Sequence, residues 1–474
     1  MIYLKIKRQF HKTILGLSLL VLMTACTTHY QVNNPIQSTA AVERFSLEDK
    51  PGKRSDELLL ILAFSGGGTR SAAFAYGVLQ TLAETHIEID GEKRRLLDEV
   101  DAISSVSGGS FTAAYYGLFK DRIFEDFESK FLKFNVQSEL TRSLFSPFNW
   151  PKLASLYYER SDLVAEYYDE LLFEQKTFQD FLTADSPLIA INATNVANGT
   201  QFSFIGNVFA PICSDLSSFP VSRAVTASSA VPGVFSSIIL KNYAGTCNYQ
   251  LPEWATKALD ERQVNTRLYH LAQVLNEYQD TTSQPYIHLL DGGISDNLGV
   301  RIMINLTHTR GGIGKYLEQF DLEKTRNLAL IIVNAATEFD SSFNKKDYSI
   351  PLIDSLGAVS SIPLDRYTFE TMEMLRNNSA HWEESITAKR CGESPPAGNK
   401  QHEGAANVPP ACAAQTYLIE VNFDRHQDEA ERNHLKHLPT SFYLEPDDVD
   451  RLKAAAQKIL ADSAEFNELI DNLQ

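Results

Sequence analysis

The chain has 474 residues, of which 43% are hydrophobic, 22% charged and 10% aromatic. That profile suits a globular protein with a large core and excludes disorder, collagen and coiled coil as overall descriptions. A formal net charge of −17 repels phosphate backbones, so no nucleic-acid partner is expected.

Residues 1–25 read as a signal peptide. Lys5, Lys7, Arg8 and Lys12 precede the mostly apolar run Ile14–Met23. That run is too short to span a hydrocarbon core, which needs ~20 residues. The junction Leu22-Met23-Thr24-Ala25-Cys26 resembles the lipobox of bacterial lipoproteins, with Met23 where Leu is usual. The resemblance implies lipidation of Cys26 and an exported, membrane-anchored protein at the outer membrane or the periplasmic face. An ordinary cleaved signal with a chance cysteine is the alternative. Residues 26–55, broken by Asn33-Asn34-Pro35 and Pro51-Gly52, read as a lipid-tethered flexible linker. Export leaves Cys213, Cys247, Cys391 and Cys412 in an oxidising compartment, where disulfides persist. Of three connectivities, the nearest-neighbour pairing Cys213–Cys247 and Cys391–Cys412 is expected. No Cys-x-x-Cys or His pair lies near them at zinc-ligand spacing, so no metal is expected.

From residue 56 to 474 the chain reads as one domain. Leu58–Phe64 is a continuous apolar run, the mark of a strand buried on both faces of a parallel sheet. It runs into Ser65-Gly66-Gly67-Gly68-Thr69-Arg70 and then a helical pattern over Ser71–Thr85. Val100–Val106 repeats the design, ending in Ser107-Gly108-Gly109 before a helix over Phe111–Phe119. Further strands are expected at Leu188–Ala193, Gln201–Ile205, Val234–Leu240, Tyr286–Leu290, Asn327–Asn334 and Thr416–Phe423. Helical patterns lie at Asp121–Phe134, Asp162–Phe173, Val221–Ala230, Asn297–Thr307 and Glu445–Leu473. Strands alternating with helices predict an α/β layered sheet. Insertions are expected near 242–285, with a helix around Glu261–Tyr278, and near 391–410, a loop pinned by Cys391 and Cys412.

Three elements carry chemistry. Ser107 sits on a sharp strand-to-helix turn between small residues, Ser105-Val106-Ser107-Gly108-Gly109, which fits a nucleophile elbow with Ser105 in place of the first glycine. The amides of Gly66, Gly67 and Gly68, at the positive end of a helix, form a concavity for an anionic oxygen. A phosphate loop would need Gly-Lys-Ser/Thr, which Arg70-Ser71 does not supply; an oxyanion hole is the other use, and the turn by itself does not decide. Asp291-Gly292-Gly293 follows a strand, and a buried carboxylate near a serine can serve as its base. Each element alone also reads as an ordinary turn.

Together and in this order, these elements resemble the patatin-like phospholipase family. Val225-Thr226-Ala227-Ser228-Ser229-Ala230-Val231-Pro232-Gly233-Val234-Phe235 is similar to the family's alanine-serine helix with its Pro and Phe, and Asn192-Ala193-Thr194 with Gly199 to its central strand turn. Departures are Ser65, Ser71 and Ser105. The resemblance spans about residues 58–308 and implies a three-layer α/β/α domain with a mostly parallel central sheet. It implies hydrolysis of lipid acyl esters, phospholipase A or lysophospholipase in type, by a Ser107–Asp291 dyad without cofactor or metal, with Gly66–Gly68 holding the oxyanion. Arg70 would orient that loop, meet a lipid phosphate, or stand at the surface. The substrate would be a phospholipid or other lipid ester, met at the membrane surface through the N-terminal anchor.

Two alternatives remain at this level. A Ser-His-Asp esterase would need a histidine such as His308, His381, His402, His426, His434 or His437, none of which lies in a motif resembling a catalytic loop. The last three sit in a charged stretch that reads as solvated surface. A non-catalytic lipid-binding lipoprotein could keep the fold, yet it would have no need of Ser107, Asp291 and all three loop glycines.

Overall fold

The computed structural model describes residues 33–45, 54–155, 158–183, 185–319, 322–337, 347, 352–392, 409 and 412–474. The signal segment, Cys26, His402 and most of the 391–410 loop lie outside the described residues. The strands are β1 (Leu58–Phe64), β2 (His86–Ile89), β3 (Glu92–Arg95), β4 (Val100–Val106), β5 (Leu188–Asn195), β6 (Thr200–Ser203), β7 (Ile238–Lys241), β8 (Tyr286–Asp291), β9 (Asn327–Asn334) and β10 (Gln415–Asn422). All but the β2–β3 hairpin join one eight-stranded sheet of order β10-β9-β1-β4-β5-β8-β7, with β6 on β5. From β10 to β5 the neighbours are parallel, whereas β8 is antiparallel to both β5 and β7.

The principal helices are α1 (Thr69–Glu84), α2 (Gly108–Phe119), α3 (Arg160–Tyr168), α4 (Val221–Ser228), α5 (Glu253–Asp260), α6 (Thr266–Tyr278), α7 (Arg301–Thr309), α8 (Leu352–Arg390), α9 (Pro446–Ala461) and α10 (Ala464–Asn472). The unbroken apolar run of β1 follows from this layering. Alternate side chains of β1 enter opposite cores: Leu58, Leu60, Leu62 and Phe64 meet α1, α2, α4, α9 and α10, while Leu59, Ile61 and Ala63 meet α7 and α8. With both faces covered, β1 is apolar throughout, and the polar Asp101 of the equally buried β4 is kept by accepting from the Leu60 amide at 2.8 Å.

Two bridges tie the chain, Cys213–Cys247 with Cα atoms 5.5 Å apart and Cys391–Cys412 at 5.2 Å. The first fastens the 242–285 segment, which holds α5 and α6 between β7 and β8, to the domain body. Two expectations need correction. Residues 33–45, read as part of a flexible linker, are docked: Ile36, Val42 and Phe45 are buried, and the Asn33 amide donates to Ser214 Oγ at 2.8 Å and the Lys241 carbonyl at 2.9 Å. Their apolar side chains are too few and too irregularly spaced to show a period, yet they find apolar surface on the domain. The strand expected at Val234–Leu240 forms only from Ile238, because Pro232-Gly233 turns the chain and Val234 faces solvent.

Candidate active site

β1 and β4 run parallel with Phe64 opposite Ser105, so the turns that follow them emerge side by side at the same sheet edge. Glycine lets them touch. A Cβ on Gly108 would stand 2.0 Å from the Gly68 carbonyl oxygen, a backbone atom that cannot yield. Ser107, at the head of α2, has φ 49° and ψ −119°, a conformation that costs a side-chain-bearing residue on the order of 1–3 kcal/mol. The surroundings hold it there. Its amide donates to Ser228 Oγ at 2.8 Å, and Ser228 donates in turn to the Asn192 carbonyl at 2.6 Å.

Ser107 Oγ donates to Asp291 Oδ2 at 2.9 Å. The aspartate arrives by a route the sequence did not show. β8 descends antiparallel to β5, which continues past the end of β4, so the carboxyl end of β8 comes down to the level of the serine. Asp291 pairs with Ala193, its amide donates to the Ala230 carbonyl at 3.0 Å, and its carbonyl accepts from Thr194 Oγ1 at 2.8 Å. Burial pushes its carboxyl from 3.8 up to about 6, while the Gly293 amide and the Ser107 hydroxyl pull the other way. The Gly293 amide reaches Oδ1 at 2.8 Å.

The glycine turn supplies fewer free donors than expected. The Gly66 amide donates to the Asn297 carbonyl at 3.0 Å and is therefore occupied. Among the described residues, the amides of Gly67 and Gly68 have no protein acceptor. Gly68, with φ +61°, turns the chain into α1, and the next amide, Thr69, is held by the Ser441 carbonyl at 2.8 Å. Arg70 is buried beneath this turn, which removes the readings of a surface arginine and of a phosphate ligand. Its Nε donates to the Ala335 carbonyl at 2.9 Å, Nη1 to the Leu438 carbonyl at 2.6 Å and Nη2 to Thr440 Oγ1 at 3.0 Å. Burial without a carboxylate partner pushes the guanidinium down to about 10.

A strained serine, a buried carboxylate and two unoccupied amides thus meet at one edge. The family described as patatin-like phospholipase matches residues 62–304, more than half of the chain, and that stretch holds all of these groups. The chain belongs to the patatin-like phospholipase family. Among solved structures, human GIVD cytosolic phospholipase A2 aligns with TM-score 0.44 and 13% identity, over 94% of this chain and 68% of that one. Its complex with methyl gamma-linolenyl fluorophosphonate aligns with TM-score 0.41 and 13% identity, over 92% and 62%. No curated protein matches in sequence.

For this patatin-like site the rival base was histidine. Among the described residues no histidine bonds to Ser107 or Asp291. His434 Nε2 pairs with Asp448 at 2.6 Å and His381 faces Glu384 at 3.8 Å, while His426, expected at the surface, is buried with Nδ1 at 3.2 Å from the Asp428 carbonyl. Nor does any cluster of His, Cys, Asp or Glu among the described residues offer three metal ligands. Ser228, Asn192 and Thr194 lay in stretches already singled out by the resemblance, although their work as supports was not visible. Asn297, read only as the start of a helical pattern, and the segment Leu438–Ser441 carried no signal for this role.

Proposed function

We propose that this protein is a lipid acyl-ester hydrolase that works by a Ser107–Asp291 dyad. The observation that carries the reading is the 2.9 Å hydrogen bond from Ser107 Oγ to a buried carboxylate with no competing cation. In the proposed cycle Asp291 takes the hydroxyl proton as Oγ attacks the ester carbonyl, and the Gly67 and Gly68 amides receive the negative oxygen. Asp291 then returns the proton to the departing alcohol, and water cleaves the acyl-serine by the same steps. A carboxyl at about 6 is ionised at neutral pH yet more basic than an ordinary aspartate, which suits both duties.

A membrane-surface substrate accords with exposed Phe145, Phe148 and Trp150. Phe145 ends the helix Val136–Phe145 and Phe148 and Trp150 follow it, while at the start of that helix the Gln137 amide bonds the Phe442 carbonyl next to Ser441. Lipidation at Cys26 would keep the enzyme at that surface; radioactive fatty acid should label the wild type and not Cys26→Ala.

An alkyl fluorophosphonate should modify Ser107 of the purified protein, and Ser107→Ala should lose both the adduct and hydrolysis of a phospholipid. A folded protein that neither reacts nor hydrolyses any lipid ester would establish the lipid-binding alternative instead.

A further inference from the structure

A separate cavity of about 1090 Å³ lies between α6 of the 242–285 segment, α7, β6 and Tyr367 of α8, and reaches Ser295, which bonds Thr194 beside Asp291. It is large enough for a drug-sized or acyl ligand. Neither Ser107 nor Asp291 lines it. Part of its wall is apolar and aromatic, with Tyr249, Trp254, Leu271, Val274 and Leu306, and part presents the guanidinium groups of Arg267 and Arg301.

The guanidinium groups of those two arginines hydrogen-bond only to neutral partners among the described residues, although the buried Asp296 carboxylate lies within electrostatic reach of Arg301. Arg267 points Nη1 at Asn305 Oδ1, 3.4 Å away, and Nη2 at the Met374 thioether, 2.8 Å away and a weak acceptor. Arg301 directs Nε and Nη2 to the one hydroxyl of Thr371, at 3.1 and 2.8 Å, and lies 3.7 Å over the Tyr367 ring. Asp296 accepts the Arg301 backbone amide at 2.7 Å and not its guanidinium, and the acid on the wall, Glu277, accepts from Asn198 at 3.4 Å. The contrast with Arg94, Arg122, Arg223 and Arg451 is sharp, since each of those meets a carboxylate. Burial and the charge of Arg301 both push Arg267 below its ordinary value. Two half-buried like charges side by side are costly unless an anion joins them.

The geometry points to this cavity as a binding site for an amphiphile with an anionic head, a fatty-acid carboxylate or a lipid phosphate. The head meets Arg267 and Arg301, and the acyl chain lies along Trp254, Leu271 and Val274. The site is independent of Ser107 and would exist whether or not the enzyme reading holds.

Trp254 allows a local readout, because the chain has 3 tryptophans and the others, Trp150 and Trp382, do not line the cavity. 9,10-Dibromostearate, whose bromines quench indole fluorescence on contact, should quench saturably, and the saturable component should vanish in Trp254→Phe. Arg267→Gln should weaken binding at least tenfold. The matching dibromo-octadecanol, with the same chain and no charge, should bind at least tenfold more weakly to the wild type, a comparison that needs no variant to fold. Dibromostearoyl phosphatidic acid in parallel distinguishes a phosphate head from a carboxylate by which binds more tightly. Quenching that survives Trp254→Phe, or equal affinity for acid and alcohol, overturns the proposal.

Discussion

Asp291, the proposed base, shows what a buried carboxylate costs its own fold. Its pKa lies near 3.8 when unfolded and about 6 when buried, so the folded state holds the proton more tightly between those values. Folding is therefore weakened as pH rises through that window, by roughly 3 kcal/mol once above about 6. Asp291→Asn keeps the shape and removes the charge. Its melting temperature should exceed that of the wild type at pH 8, with the gain gone below about pH 4. As the proposed base the same group would set the acid limb of activity, so kcat/KM of the wild type should fall about tenfold per pH unit below about 6. The proposed dyad makes serine and aspartate one unit, so the Ser107→Ala, Asp291→Asn double variant should hydrolyse scarcely less than either single one.

At the scale of elements, the site depends on two turns held in register by a clamp. Arg70 joins the glycine turn to the end of β9 and to the Leu438–Ser441 segment, and its guanidinium lies so near Gly67 that a Cβ there would come within 3.2 Å of Nη2. Arg70→Met leaves the Ala335 and Leu438 carbonyls buried without donors, a loss of about 2–5 kcal/mol by thermal or urea unfolding. With the turn loosened, kcat should drop on the order of a hundredfold while KM stays nearly constant, as for loss of one oxyanion donor. A merely structural role would lower Tm without that split. Gly108→Ala should be worse, since the added methyl meets backbone and not a flexible side chain.

The hairpin β2–β3 belongs to this scale too. Asp90 and Gly91 have φ 54° and 74°, and the Asp-Gly dipeptide is a strong signal for such a turn. The strands either side are short and charged, with no alternation long enough to stand out, and they escaped notice for that reason. Across the sheet, β1 and β9 were legible to the residue because burial on both faces favours near-continuous apolar runs, and β4 because its buried segment runs straight into the Ser107-Gly108-Gly109 turn. β7 and the 33–45 segment were not, because their burial is shared with distant chain.

At the scale of the molecule, the placement of exposed aromatics bears on how substrate is met. Phe148 is 92% exposed and Trp150 61%. Replacing both with serine should lower hydrolysis of phospholipid vesicles at least tenfold, while turnover of a short-chain, monomeric ester stays within about twofold. Equal losses on both substrates would place the effect in the site itself.

Ser107, Asp291 and the glycine turn could be found from sequence because each lies in a strand-to-turn context whose chemistry is local: a tight turn needs small residues, and a buried strand needs apolar ones. The partners of those groups are long-range. That Gly66 is occupied by Asn297, that Arg70 is an internal clamp, that β8 runs against its neighbour, and that Arg267 and Arg301 share a cavity wall all depend on contacts between residues tens or hundreds of positions apart. No spacing rule in the chain encodes such contacts. They arise only when two hydrophobic cores close on the sheet and decide which polar groups are left facing one another.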